Sequence, residues 1–140
     1  MAEAPWLTII GLGEDGPEGL PPASRAALRA AAVVLGPPRH LSLLPDLASE
    51  RIAWPVPFAD GLPILRALRG RRVVVLASGD PFWFGAGSVI VRDLAPGEWT
   101  AIPVPSSFSL AASRLGWPIE STLCLGLHAA PLTRLRPHLA

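Results

Sequence analysis

The chain has 140 residues, half of them hydrophobic, and a formal net charge of +1 at pH 7. This composition predicts one compact domain with a substantial core, and the scattered arginines form no basic stripe that would bind nucleic acid. No apolar run approaches the roughly 20 residues that span a bilayer and the N-terminus lacks signal-peptide features, so we expect a cytoplasmic protein with no membrane partner.

The first predicted strand is the β-rich run 6–10, which stops at the glycine-rich loop 11–16. The loop matches G-x-G-x-x-G, the pattern of a nucleotide-binding oxidoreductase domain, where a helix would start at once and face a pyrophosphate. Prolines from Pro17 onward postpone the helix here, and the second strand, 33–35, ends without the acid that would hold a ribose. The dinucleotide interpretation is therefore the weaker alternative.

Three helices and an edge strand are predicted in the middle of the chain. An alanine-rich helix runs from about residue 22 to 32, and a short helix follows at 41–44. The strand 51–54 is followed by two prolines, which favour a sheet edge. Leucines at helical spacing then predict a core-facing helix over 62–68.

The apolar run 73–77 and the loop after it form the most informative stretch. A β-branched run without polar alternation is typical of a parallel strand covered on both faces, and such strands place ligands at their carboxyl ends. Gly79 permits close backbone approach, and Asp80 is a short hydrogen-bond acceptor. The alternative is an ordinary strand-to-helix turn in which Asp80 caps the following helix.

Another strand-to-helix junction follows a helix at 87–94 and a strand at 99–104. Ser106 and Ser107 precede an alanine-rich helix at 109–115, and either serine could act as its N-cap instead of contacting a ligand.

The run 123–127 predicts a last strand with the single cysteine buried in it, so the sequence predicts neither a disulfide nor a metal site. Strand and helix alternate about five times. We therefore predict an α/β fold with an open, mostly parallel five-stranded sheet flanked by helices. The loops at Gly11, Gly79 and Ser106 each follow a strand, so we expect them along one edge of the sheet.

No catalytic set of residues emerges from the sequence. The three histidines, including His40, are widely spaced, and Glu14 and Asp15 are adjacent, as solvated turn residues usually are. The serines lie outside the G-x-S-x-G pattern of hydrolases. No residue is therefore assigned to catalysis.

Three motifs in series resemble the tetrapyrrole methylase family over most of the chain. They are the loop 11–13, the Gly-Asp-Pro loop 79–85 and the run 105–118 with its Pro-Ser-Ser-Phe-Ser start. The resemblance implies transfer of a methyl group from S-adenosylmethionine to a carbon of a corrin precursor of the precorrin-6Y type, in cobalamin biosynthesis.

The resemblance also implies a domain arrangement. Residues 1–128 correspond to the N-terminal α/β domain of a tetrapyrrole methylase, and 129–140 begin the connection to a second domain that this chain lacks. The cofactor would lie between the two domains, and we expect the full-length protein to be a homo-oligomer. We therefore expect this chain alone to supply half of the cleft, to bind the cofactor poorly and to catalyse nothing, because small-molecule sites usually enclose most of their ligand.

The family motifs also imply a set of cofactor contacts, and these are Glu14, Gly79, Asp80, Trp83, Ser106 and Ser107. Because a corrin precursor carries several carboxylates, Arg39 is a candidate to hold the substrate, and the alternative is a solvated surface arginine. Two other functions stay open at this point. They are a non-catalytic fragment or interaction module, and the nucleotide-binding oxidoreductase domain.

Overall fold

The computed structural model describes residues 3–128 and 130–139. The chain divides into two compact units, Met1–Val104 and Pro105–Ala140, which we describe one at a time. The domain boundary predicted at residue 129 lies outside the described residues, as do the first two residues of the predicted N-terminal domain. The assignment of 1–128 and 129–140 to separate domains stays a prediction.

A five-stranded parallel sheet forms the first unit, in the order β3-β2-β4-β1-β5. This confirms the predicted fold class. The strands are β1 (Leu7–Leu12), β2 (Val33–Gly36), β3 (Glu50–Ala53), β4 (Val73–Ser78) and β5 (Trp99–Ile102). The central strands are almost entirely buried, whereas the edge strand β3 is mostly exposed, as the prolines after it predicted.

Four short helices connect these strands, namely α1 (Pro22–Ala30), α2 (Pro38–Leu41), α3 (Gly61–Ala67) and α4 (Gly87–Ile90). Both α1 and α2 start at a proline, whose fixed φ suits the first helical position. The predicted helix at 41–44 is therefore displaced towards Pro38. The helix predicted over 87–94 tightens after Ile90 into a 3₁₀ turn at Val91–Asp93.

The core of the first unit has two layers, one on each face of the sheet. Alternate residues of the central strands point to opposite faces, so Ile9 and Val75 belong to one layer and Ile10 and Val74 to the other. The first layer packs against Leu65 of α3, Ile90 of α4 and Trp54, and the second against Leu20, Leu28 of α1, Leu41 of α2 and Leu44. Helices on both faces explain why the strands lack polar alternation.

The second unit contains α5 (Ser107–Leu115), which ends at Gly116 with a left-handed φ of 67°. Its 3₁₀ turns are Ile119–Ser121 and Leu132–His138. The strand predicted at 123–127 is wrong, because these residues pair with no strand among the described residues and Leu123 is 63% exposed. Cys124 is accordingly half-buried and not a buried strand residue. A run of β-formers becomes a strand only where a neighbouring strand supplies hydrogen bonds.

The helices are all short, and α1 and α5 have nine residues each. Across residues 3–128 and 130–139, none is long and apolar enough to cross a bilayer.

Candidate functional site

The loops after β1, β4 and β5 meet at the carboxyl edge of the sheet. Leu12 and Ser78 are register partners, and the Gly79 amide donates to the Leu12 carbonyl at 3.1 Å. The Val104 amide, beyond β5, donates to the Gly79 carbonyl at 3.3 Å. The predicted meeting is therefore confirmed for Gly11 and Gly79, although Gly11 lies within β1 and not in the loop predicted at 11–16. Gly79 lies at the centre of the junction.

Gly11 is where this junction is tightest. A Cβ atom at residue 11 would overlap the Gly79 carbonyl oxygen and would lie 2.8 Å from the Val104 amide nitrogen. Gly79 itself has a φ of 59°, in the left-handed region that favours glycine. Both glycines are thus required by backbone geometry, and they hold two strand-end loops in direct contact.

Asp80 stabilises the loop that follows β4. Its Oδ1 atom accepts a hydrogen bond from the Phe82 amide at 2.9 Å, and its carbonyl accepts one from the Trp83 amide at 3.2 Å. This is an Asx turn. The alternative in which Asp80 caps the next helix is wrong, since the N-cap of α4 is Ala86.

Three consecutive aromatic side chains are exposed in the same loop. Phe82, Trp83 and Phe84 are 41%, 46% and 51% exposed, and Phe84 has a φ of 51°. The Trp83 ring packs edge-on against Phe84 with 5.3 Å between centroids, while Phe82 contacts Trp99. Such surfaces can stack on a planar ring or attract a cation.

Glu14 lies in the loop after β1, and its side chain is almost fully exposed. Its Oε1 atom is 3.9 Å from Nη1 of Arg39, which follows β2. An exposed pair at this distance contributes little to stability. Its significance is positional, because it places Glu14 beside Arg39 at the carboxyl edge.

His40 also belongs to this edge, although it was not among the predicted contacts. It is 5% exposed, and its Nε2 atom is 3.3 Å from Ser78 Oγ, to which Arg39 Nη2 also donates at 2.9 Å. Burial lowers the pKa of His40 below its ordinary value, the Arg39 charge lowers it further, and Glu14 opposes both effects. His40 is therefore neutral at neutral pH.

Ser106 and Ser107 lie in the second unit and are described within it. Ser106 is the N-cap of α5, because its Oγ accepts from the Ser109 amide at 3.1 Å. Ser107 is the first helical residue and is exposed. The N-cap alternative is confirmed for Ser106, while the cofactor contacts proposed for both serines stay predictions.

Replacing Ser106 with alanine is expected to destabilise α5 by about 1 kcal/mol, because one amide of the first turn loses its acceptor. Amide hydrogen exchange of α5 would measure the loss as faster exchange in its first turn. Ser107→Ala is the matched control and should leave these rates unchanged. Equal exchange in the two variants would contradict the cap.

One cavity lies away from these loops. Its volume is about 350 Å³, and none of the predicted contacts lines it; its walls are Pro17, Glu18, Leu20, Arg25, Leu28, Arg29, Pro45 and Leu47. Within the described part of the chain, no three histidine, cysteine or acidic side chains are grouped as metal ligands.

Comparison with known proteins decides the family. The profile described as Tetrapyrrole (Corrin/Porphyrin) Methylases matches residues 6–139. The chain belongs to the tetrapyrrole methylase family. This methylase chain is 46% identical over 137 residues to the precorrin-6Y C(5,15)-methyltransferase (decarboxylating) of Sinorhizobium sp, a match that covers 97% of the chain and 33% of the relative.

Two further matches support the same assignment. The corresponding precorrin-6Y methyltransferase of Mycobacterium tuberculosis is 37% identical over 137 residues, covering 96% of this methylase chain and 33% of its own length. The solved structure of the methyltransferase CobJ superposes with a TM-score of 0.75 at 26% identity, covering 96% of this chain and 62% of that one. The chain spans about a third of the length of these curated relatives.

Proposed function

We propose that this chain supplies the cofactor-binding edge of an S-adenosylmethionine-dependent methyltransferase. Its substrate would be a corrin precursor of the precorrin-6Y type, methylated on carbon during cobalamin biosynthesis. The observation that carries the proposal is the direct contact of the Gly11 and Gly79 loops, at the edge of a parallel sheet where ligands bind. It occurs in a chain 46% identical to a precorrin-6Y methyltransferase.

The residues present fit this cofactor. Asp80 uses Oδ1 within its own loop, and a carboxylate has acceptor capacity beyond one bond for a ribose hydroxyl or an ammonium group. The exposed ring of Trp83 could contact the adenine or the positively charged sulfonium. Glu14, Ser106 and Ser107 are further proposed contacts.

Methyl transfer also fits the absence of a catalytic triad from the sequence. When bound, S-adenosylmethionine supplies an electrophilic methyl group, and the protein accelerates the transfer chiefly by aligning the reactants and excluding water. The hydrogen-bonded junction at Gly79 described above can position a ligand at this edge. Because the relatives are about three times longer, we propose that residues beyond the matched third complete the enclosure.

The dinucleotide alternative is disfavoured by the structure. The loop after β1 leads into a 3₁₀ turn at Gly16–Gly19, and α1 begins only at Pro22. A pyrophosphate site of this type needs a helix N-terminus directly after the glycines. Thermal-shift measurements with S-adenosylhomocysteine, NAD and NADP, made on the chimera described next, should show stabilisation by the first ligand alone.

A chimera offers a direct test of the proposed activity. In it, the 137 matched residues would replace the corresponding third of the Sinorhizobium enzyme. Incubation with S-adenosylmethionine and precorrin-6Y should yield a product heavier by the added methyl groups and lighter by the lost carboxylate, as seen by mass spectrometry. A folded chimera that binds S-adenosylhomocysteine but forms no methylated product would contradict the proposed substrate.

Replacing Asp80 with alanine in this chimera is expected to weaken S-adenosylhomocysteine binding by roughly 5- to 150-fold, the equivalent of about 1–3 kcal/mol for an unpaired polar group. Asp80→Asn retains an acceptor oxygen for the Phe82 amide and is the matched control. Calorimetry should therefore find a smaller loss for the asparagine variant. Unchanged affinity in the alanine variant would remove Asp80 from the site.

A further inference from the structure

We propose that Arg39 and Ser78 form a binding site for a ligand carboxylate, with buried His40 as the positioning residue. The proposal rests on the proposed function, since it names the ligand group that this edge of the sheet recognises. Ser78 ends β4 directly before the Gly79 loop, and Arg39 and His40 lie in α2, just after β2. Because β2 and β4 are neighbours in the sheet, the three side chains meet at their carboxyl ends.

The tautomer of His40 follows from its burial. No hydrogen-bonding group among residues 3–128 and 130–139 contacts Nδ1, which is buried, whereas Nε2 faces Ser78 Oγ at 3.3 Å. A buried N–H without an acceptor is more costly than a buried lone pair without a donor. The proton of the neutral ring therefore lies on Nε2, and His40 donates to Ser78.

Ser78 Oγ consequently receives two hydrogen bonds. Arg39 is a donor only, so its 2.9 Å contact also places a hydrogen on Ser78 Oγ. A hydroxyl with both acceptor positions filled must direct its own proton elsewhere. Since Ser78 is exposed, that proton points away from His40 and Arg39 and is available to an acceptor in the ligand.

The positive charge of Arg39 favours a negatively charged ligand group beside Ser78. Arg39 is 65% exposed, and its Nη1 is 3.9 Å from Glu14, beyond hydrogen-bond range. A guanidinium has five N–H groups and binds carboxylates through paired, charge-assisted hydrogen bonds. Arg39 and the Ser78 hydroxyl together thus offer a carboxylate both charge and directed donors. The carboxylate could come from a side chain of the corrin substrate or from the methionine part of the cofactor.

The test is a titration of the chimera, followed by calorimetry. One arm compares cobyrinic acid with its heptamethyl ester, and the other compares S-adenosylhomocysteine with its decarboxylated form, which keeps the amine and lacks only the carboxylate. We expect roughly tenfold or greater preference for the carboxylate-bearing ligand in one arm, as charge-assisted bonds provide. The arm that shows it identifies the source of the carboxylate.

Variants assign the preference to residues. Ser78→Ala and Arg39→Gln should each abolish this preference, so that the ligands with and without the carboxylate bind about equally well. Arg71→Gln is the matched control, because Arg71 is an exposed arginine paired with Glu50 at the opposite ends of the strands, and it should preserve the preference. His40→Leu should lower the preference for the carboxylate-bearing ligand. His40→Gln keeps a donor near the position of Nε2, so it should retain most of that preference. A structural role alone would not give that rescue.

Two results would overturn the proposal. One is the absence of carboxylate preference in both arms, and the other is a ¹⁵N spectrum of His40 showing the proton on Nδ1. Binding of S-adenosylhomocysteine without carboxylate preference would refute this site and leave the proposed methyltransferase function intact. Failure of the chimera to methylate, with the preference present, would refute the proposed reaction and leave the carboxylate site intact.

Discussion

Replacing Gly11 with alanine is expected to destabilise the first unit by about 3 kcal/mol or more. One added Cβ would overlap the Gly79 carbonyl oxygen and crowd the Val104 amide, and both are backbone groups that cannot rotate away. Overpacking of a core typically costs about 1–3 kcal/mol, and an overlap with backbone lies at the upper end or beyond. Urea denaturation followed by circular dichroism would measure the loss.

The control for this prediction is Gly97→Ala. Gly97 lies in the 3₁₀ turn Pro96–Glu98, and a Cβ there meets nothing within 4 Å. The free energy of unfolding should change by less than about 0.5 kcal/mol, as for most surface substitutions. If the two variants unfolded at the same urea concentration, the loops after β1 and β4 could not be in the contact described here.

Replacing Gly79 with valine is expected to have the next largest effect, on stability and on ligand binding together. A φ of 59° costs a residue with a side chain about 1–2 kcal/mol, and a β-branched side chain more. The valine methyl groups would also occupy the loop surface between Ser78 and Asp80. In the chimera, we expect a lower melting temperature and a loss of S-adenosylhomocysteine affinity of at least about tenfold, measured by calorimetry.

Gly70→Val separates the two effects. Gly70 has a φ of 92° and lies in the turn before β4, at the other end of that strand, where a Cβ would meet nothing within 4 Å. The backbone strain should lower the melting temperature of this variant as well, with no change in affinity. Equal losses of affinity in both variants would show that Gly79 acts on binding only through stability.

The sequence allowed most of the sheet to be predicted, because burial on both faces leaves a simple pattern. The run 73–77 contains only apolar residues, and it forms the first five of the six residues of β4. The same reasoning failed at 123–127, where a similar apolar run pairs with no strand of the described chain. Local composition reports the tendency to form a strand, whereas hydrogen bonding to a neighbour depends on the rest of the fold.

Part of the candidate site could be predicted because it directly follows a strand that the sequence pattern reveals. Gly79 and Asp80 follow the strongest strand signal, so their position at the carboxyl edge could be inferred from adjacent residues. The contact of His40 with Ser78 requires β2 to lie beside β4, and chain order does not give that neighbour. His40 follows β2 at a strand end, which is the signal that could have brought it into consideration.

The strand order has a consequence for synthesis of the chain on the ribosome. β1 is the first strand to emerge, yet its two neighbours, β4 and β5, are made much later. Its buried residues Leu7 and Ile9 therefore stay without strand partners until Ser78 has left the exit tunnel. β2 and β3, which are neighbours, can pair before then. The nascent chain thus exposes the apolar side chains of a central strand from the emergence of β1 until that of β4, and the pairing that buries them is long-range and correspondingly slow.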